Sequence, residues 1–315
     1  MAKQKMIIDC DTGVDDAQAI MMALSRPEVD VIAITCVNGN VDIENVCRNT
    51  LRVLKVCDAL HIPVFRGCTR PIIHHEEDAS HYHGLDGMGD LPNPPEVDLS
   101  CIQEEHAVNA LIRLTKKYEG EIKVVAMAPL TNFGVALRMD PDFSRRLQSL
   151  VIMGGNIQGK GNRSAFIASE FNFGTDPEAA YVVIHEMACE ITIVSWEVCL
   201  SATYPWEKAH ECFNLHTPKS NFLQAITKTT IEKQKARGEP GYRSCDTTAM
   251  AVALDSSIIL ESVKMFTVVE LNGSNTRGML VADWRNKLCK PPNVTIVEKT
   301  DTKKSLTLWR GMVLE

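Results

Sequence analysis

A mostly parallel α/β fold is the architecture this sequence predicts, and three observations predict it. Short β-branched runs alternate with helical stretches through the first half of the chain. Apolar residues make up 45% of the 315 residues, ordinary for a soluble globular protein and enough for the sizeable core such a fold needs. Four aspartates follow the first apolar run directly and open the first helix, the placement expected at the carboxyl edge of an open α/β sheet.

The elements follow in order. Residues 6–10 read as a buried strand and residues 15–25 as a helix with apolar residues at helical spacing. VIAITCV, residues 31–37, is a second strand; residues 43–60 form a helix with apolar positions three and four apart. Residues 63–66 give a short third strand. After a polar insert come a helix (106–118), a strand (122–127), a helix (130–139), a strand (150–153), a helix (176–186) and a strand (191–195). The second half is less regular. Residues 220–237 and 246–255 read as helices. Three apolar segments, 264–271, 279–282 and 293–297, read as a small antiparallel addition, and 301–311 as a closing helix. No linker-like stretch or repeat divides the chain, so residues 1–315 are expected to form a single domain.

The bulk numbers exclude some functions. A net charge of −7 argues against a nucleic-acid grip, which needs a basic patch. No stretch reaches the roughly 18 apolar residues of a membrane span. Residues 1–11 hold no apolar run of signal-peptide length. Eleven cysteines, an odd number without CxxC pairs, suit reduced thiols better than a disulfide framework or zinc module. The expectation is a cytoplasmic protein acting on a small molecule, with no membrane and no nucleic acid as partner.

The strongest local signal is DCDTGVDD, residues 9–16. Asp9 and Asp11 are two apart, so they share one face of an extended strand end. Gly13 permits a tight turn, and Asp15 and Asp16 fall at a helix start. A helix dipole stabilises an exposed charge by only about 0.3–1 kcal/mol. It cannot keep four crowded carboxylates ionised, so either some protonate or a cation sits among them. All-oxygen ligands favour calcium or magnesium over zinc. The plainer reading is an aspartate-rich helix cap on a solvated loop. The D-x-D-x-T/V motif of haloacid-dehalogenase-type phosphatases fails here because Gly13 holds the fifth position.

The pattern D-x-D-x-G-x-D-D-A resembles the signature of the inosine–uridine-preferring nucleoside hydrolases. Further motifs of that family appear in order. They are Gly39-Asn40, His83-Gly84 with Gly87-Met88-Gly89, and the APLTN turn at 128–132. Met153-Gly154-Gly155, Glu170-Phe171-Asn172, the DPEAA run at 176–180 and Asp246 complete the set. They span residues 9 to about 255. The resemblance implies a nucleoside hydrolase fold and hydrolysis of the N-glycosidic bond of ribonucleosides to ribose and free base. It implies Ca2+ as cofactor, a nucleoside as the small-molecule partner and a homodimer or homotetramer as the assembly.

It also implies roles. Asp11, Asp16, the main-chain carbonyl of Met127 and Asp246 would ligate calcium, and Asp11 would also be the general base. Asp15, Asn40 and Asn172 would hold the ribose hydroxyls; Asn162 and Glu170 would reach the 5′-hydroxyl. His83 matches the family's loop histidine and is a candidate to contact base or sugar. The chemistry is coherent: breaking the bond builds positive charge on the sugar, carboxylates beneath it stabilise that charge, and calcium activates water.

One departure bears on mechanism. Many family members carry histidine immediately before the distal aspartate, and this chain has Cys245-Asp246, which suggests a subgroup with cysteine in that place. A thiol with pKa near 8.5 is a weak stand-in for imidazole at neutral pH. Cys245 is therefore either the leaving-group acid or a small packing residue. Tyr242, Trp196 and Trp206 could assist a departing purine, or could simply pack. His74, His75 and His81 read as a surface loop rather than a second metal site. Two alternatives stay open: a catalytically weak ribose- and calcium-binding homologue, and a hydrolase of a riboside such as nicotinamide riboside, whose base needs no proton to leave.

Overall fold

A computed structural model of the chain describes residues 2–73, 78–163 and 167–314. The first half alternates strand and helix: β1 (Gln4–Cys10), α1 (Val14–Leu24), β2 (Val29–Cys36), α2 (Ile43–Val56), β3 (Val64–Arg66), α3 (Ser80–His83), β4 (Ile102–Gln103), α4 (Ala107–Lys117), β5 (Ile122–Ala126), α5 (Thr131–Met139) and β6 (Leu147–Met153). The middle adds α6 (Phe171–Thr175), α7 (Pro177–Glu186), β7 (Glu190–Val194), α8 (Trp196–Ser201), β8 (Thr203–Pro205), α9 (Trp206–Phe213), α10 (Pro218–Ala236), β9 (Gly241–Arg243) and α11 (Cys245–Leu254). The chain closes with β10 (Ile259–Met265), β11 (Thr267–Val269), β12 (Leu280–Ala282), β13 (Val294–Thr300) and α12 (Thr302–Gly311).

Nine strands form the central sheet in the order β10-β13-β7-β6-β5-β1-β2-β3-β4. All neighbours in it pair in parallel except β10 and β13. Strands buried on both sides are apolar in a continuous run rather than in alternation. In β1, Met6, Ile8 and Cys10 enter one core with residues of α1, α2, α11 and α12, while Ile7 enters the other with residues of α4, α5 and α7. The α/β expectation therefore holds.

The strand order decides where a site can form. β1 lies between β2 and β5: the chain runs outward from β1 through β2, β3 and β4, and the connection leaving β4 returns to β5 on the other side of β1. A crevice opens at the carboxyl ends of strands where the order reverses in this way. Asp11, Asn40, Met127 and Gly154 follow the ends of β1, β2, β5 and β6, so the motif residues sit at that crevice.

The structure corrects several boundaries. The helix expected over 43–60 ends at Val56. Asp58 takes φ 53°, and the amides of Asp58 and Ala59 bond back to the carbonyls of Lys55 and Leu54, which is a Schellman stop. The segment 264–271 is not one strand: Met265 ends β10 in the main sheet, and β11 begins at Thr267 in a separate two-stranded sheet with β12. Residues 294–297 of the segment 293–297 lie in β13, which pairs antiparallel with β10 but parallel with β7, and so extends the main sheet. Local periodicity carries no partner information, so these assignments were beyond it. The two-stranded antiparallel sheet of β8 and β9, and helices α8 and α9, were not anticipated from the sequence.

Candidate active site

The floor of the site is built by the turn out of β1. Gly13 caps α1, and Asp16 reaches back so that its Oδ2 accepts from the Gly13 amide at 2.8 Å. Asn40 ties the carboxylates together. Its backbone amide donates to Asp11 Oδ2 at 2.7 Å, and its Nδ2 to Asp11 Oδ1 at 3.0 Å and Asp16 Oδ2 at 3.2 Å. Close approach explains two glycines: a Cβ on Gly13 would lie 2.6 Å from His83 Nδ1, and one on Gly39 would overlap the Asp11 carboxylate.

Carboxylate oxygens of Asp15, Asp16 and Asp246 all lie within 4.8 Å of one another. Burial, then the neighbouring Asp16, pushes the Asp11 carboxyl well above its ordinary range. Burial and Asp15 raise Asp16 to about 7. Burial and the charges of Asp15 and Asp16 raise Asp246 strongly. Among the described residues, Asp16 Oδ1 is buried without a hydrogen-bond partner. A buried, unpartnered carboxylate oxygen in a group of mutually repelling acids fits a hard divalent cation, which would satisfy the lone pairs and reverse the repulsion. Asp11 was expected among the ligands and Asp15 among the sugar contacts. Asp15 belongs to the oxygen group with Asp16 and Asp246, and both Asp11 oxygens accept hydrogen bonds from Asn40.

Asp9 does not share this floor. Its Oδ2 accepts from Thr35 Oγ1 at 2.6 Å and Asn132 Nδ2 at 2.8 Å, and burial raises its pKa to about 7. It faces the sheet interior, so the expected shared face with Asp11 ends at the strand end, where regular alternation stops. The APLTN and DPEAA motifs also meet beneath the site, where Thr131 Oγ1 donates to Asp176 Oδ2 at 2.6 Å.

Above the floor opens a cleft lined by Asp15, Asn40, His83, Met127, Asn162, Glu170, Asn172, Cys245 and Asp246, so nine predicted residues converge. Asn172 donates through Nδ2 to the carbonyls of Met127 and Met153, both at 3.0 Å. Its Oδ1 has no hydrogen-bond partner among the described residues. Glu170 caps α6: its oxygens accept from the amides of Asn172, Phe173 and Gly155, and burial raises it to about 7. Asn162 lies at the exposed edge, its amide bonded to the Ser169 carbonyl at 3.1 Å.

His83 is buried, and Val14 N–H donates to its Nδ1 at 3.1 Å. Nδ1 is thus an acceptor, and the ring proton belongs on Nε2. Asp15 Oδ1 lies 3.9 Å from the same nitrogen, which would form an ion pair only with a charged ring. Burial lowers the His83 pKa and the backbone donor occupies Nδ1, so the neutral ring fits. The Cys245 thiol is pushed well above its ordinary range, first by its hydrogen bond with Cys199 and then by burial.

Of the aromatic candidates, Trp196 and Tyr242 line the cleft. Trp206 packs on Tyr242 and donates to the Glu239 carbonyl. His81 borders the cleft, while His74 and His75 lie outside the described residues. Sequence reasoning missed Tyr82, Thr230, Arg237 and Arg243, which also line it. Thr230 and Arg237 stand on or just past α10, far from any motif; Tyr82 and Arg243 flank the His83-Gly84 and Cys245-Asp246 pairs, but no residue pattern singled them out.

Across residues 6–307 the sequence matches the inosine-uridine preferring nucleoside hydrolase family. The chain belongs to that family. It is 32% identical over 302 residues to an inosine-uridine preferring nucleoside hydrolase of Leishmania major, covering 96% of this chain and 94% of that one. It is 31% identical over 312 residues to a pyrimidine-specific ribonucleoside hydrolase of Escherichia coli, covering 96% and 94%. Among solved structures, an inosine-guanosine nucleoside hydrolase superposes with a TM-score of 0.90 at 31% identity, covering 99% of both chains. Among the described residues, no helix of this hydrolase is long and apolar enough to cross a membrane.

Proposed function

We propose that this N-ribohydrolase cuts ribonucleosides to ribose and free base with calcium as its cofactor, acting as one domain over the whole chain. The carboxylate group of Asp15, Asp16 and Asp246 beneath the cleft carries the reading. Asp11, Asp16, the Met127 carbonyl and Asp246 would hold the ion, with Asp15 close enough to join them. Calcium, when bound, offsets the carboxylate charge and makes a nearby water more acidic.

The chain's own residues do the rest. Asp11 accepts the proton of the attacking water; an offset charge beside it returns this carboxyl to the ionised form a base needs. Asp15, Asn40 and Asn172 hold the ribose hydroxyls, Asn172 through its free Oδ1. The carboxylates stabilise the positive charge that develops on the sugar. Asn162 and Glu170 face the 5′-hydroxyl. His83 offers Nε2–H as a neutral donor. Cys245 marks a subgroup with cysteine in place of the usual histidine. Its thiol, held by Cys199, is a weak proton donor, which favours bases that leave without a dedicated acid.

Eleven free thiols suit the reducing cytoplasm. The assembly we expect is a homodimer or homotetramer. The deciding experiment is release of reducing sugar from inosine, uridine and nicotinamide riboside, with calcium and after chelation. Calcium-dependent release supports the reading. No release from any riboside, with calcium bound and the fold intact, would replace the enzyme with a binding protein.

A further inference from the structure

Gln234 is completely buried on α10 and does not line the cleft, yet its one amide group meets two residues that do. Its Nε2 donates to Tyr82 Oη at 2.8 Å and to the Arg243 carbonyl at 2.8 Å. Its Oε1 accepts from the Arg243 amide at 2.8 Å. Tyr82 belongs to α3 and Arg243 to β9, so one side chain joins three elements. The neighbouring Lys233 adds bonds from Nζ to the carbonyls of His81 and Tyr82, at 2.7 and 3.2 Å.

The residues so held have a common chemistry. The Arg243 guanidinium lies 5.0 Å from the centre of the Trp196 ring, and its Nη2 meets Glu239 Oε1 at 2.9 Å. With Tyr82 and Tyr242 they give the cleft aromatic and cationic walls. The floor, by contrast, is carboxylate and amide. A sugar rich in hydroxyls matches that floor, and a flat heterocycle with carbonyl and ring-nitrogen acceptors matches the walls.

We infer that Gln234 is a positioning residue for the nucleobase: its amide fixes Tyr82 and Arg243 relative to each other across the base end of the cleft. This rests on the ribonucleoside reading above. Removing the amide would free both walls while leaving the acidic floor, which shares no hydrogen bond with Gln234, unchanged.

The test compares wild type, Gln234→Leu, Tyr82→Phe and the double variant, each with calcium, on inosine, uridine and adenosine. Ribose inhibition and Tm are measured in parallel. Gln234→Leu should lower kcat/KM by roughly ten-fold or more, chiefly through KM, and should change the ranking of the three bases. The inhibition constant of ribose, which reads only the floor, should stay put. Tyr82→Phe should move the ranking in the same direction, and the double variant should lose no more than Gln234→Leu. If Gln234→Leu does not fold, Tyr82→Phe alone must still shift the ranking. An unshifted ranking, strictly additive losses, or ribose inhibition weakened in parallel would overturn the inference. Failure of the function reading looks different: wild type itself turns over none of the three, and the inference falls with it.

Discussion

Asp11 and Asp16 sit side by side under one amide, that of Asn40, and both titrate upward. Both would reach the ion, and the geometry sets them apart in one respect: among the described residues Asp16 keeps a buried oxygen without a partner, and Asp11 does not. We expect Asp11→Asn to lower kcat by roughly 10²–10⁴-fold, the usual range for losing a general base, while isothermal titration still registers calcium. Unchanged kcat would sink this assignment. Cys245 makes the opposite prediction. With its thiol held by Cys199, Cys245→Ser should change kcat less than about ten-fold, below the usual contribution of a general acid; a larger loss in ribose release would make the thiol the donor. These acids were legible in the sequence because they stand within eight residues of one another or in a motif. Arg243 and Tyr82 were not, because their place in the site depends on how α10 packs against α3 and β9.

At the scale of elements, the five residues of α6 depend on their cap. Glu170 offers its carboxylate to three backbone amides in full burial, and its pKa rises from 4.5 to about 7. The fold therefore holds a proton that the unfolded chain releases between those values. Stability must fall as pH rises through that window, by on the order of 3 kcal/mol in total from this group. Glu170→Gln should flatten the decline in Tm between pH 5 and pH 8; an unchanged slope would place the proton elsewhere. Elements with strong periodicity, such as α1, α4 and α7, were readable to within a residue or two. Those defined by their partners were not. Most of β10 had no assignment before its pairing with β13, and the end of α2 turned on an aspartate in the left-handed region.

For the whole molecule, the acidic floor lies where the strand order reverses, and several carboxyls there have raised pKa values. Without an ion the same sign applies: the fold retains protons that the open chain loses, so its stability falls as pH climbs from about 4 to 7. A bound cation removes the penalty. Calcium should therefore raise Tm, by about 2.7 kcal/mol of stability at a hundred-fold excess over Kd, and the gain should be larger at pH 8 than at pH 5. Calorimetry with and without chelator checks both parts; a gain larger at the acidic pH would contradict the charge argument. The overall class was legible because parallel strands need helical crossovers, and the alternation of the first half supplies them. The small two-stranded sheet carrying Arg243 had no such signature. That small sheet and α3 stand outside the nine-stranded sheet. If Tyr82 and Arg243 frame the base as inferred above, a lineage can exchange the base it accepts by rewriting these two short margins, with no strand of the nine-stranded sheet and no acidic floor residue disturbed. The reaction would then be inherited through the sheet, and the diet through the margins beside it.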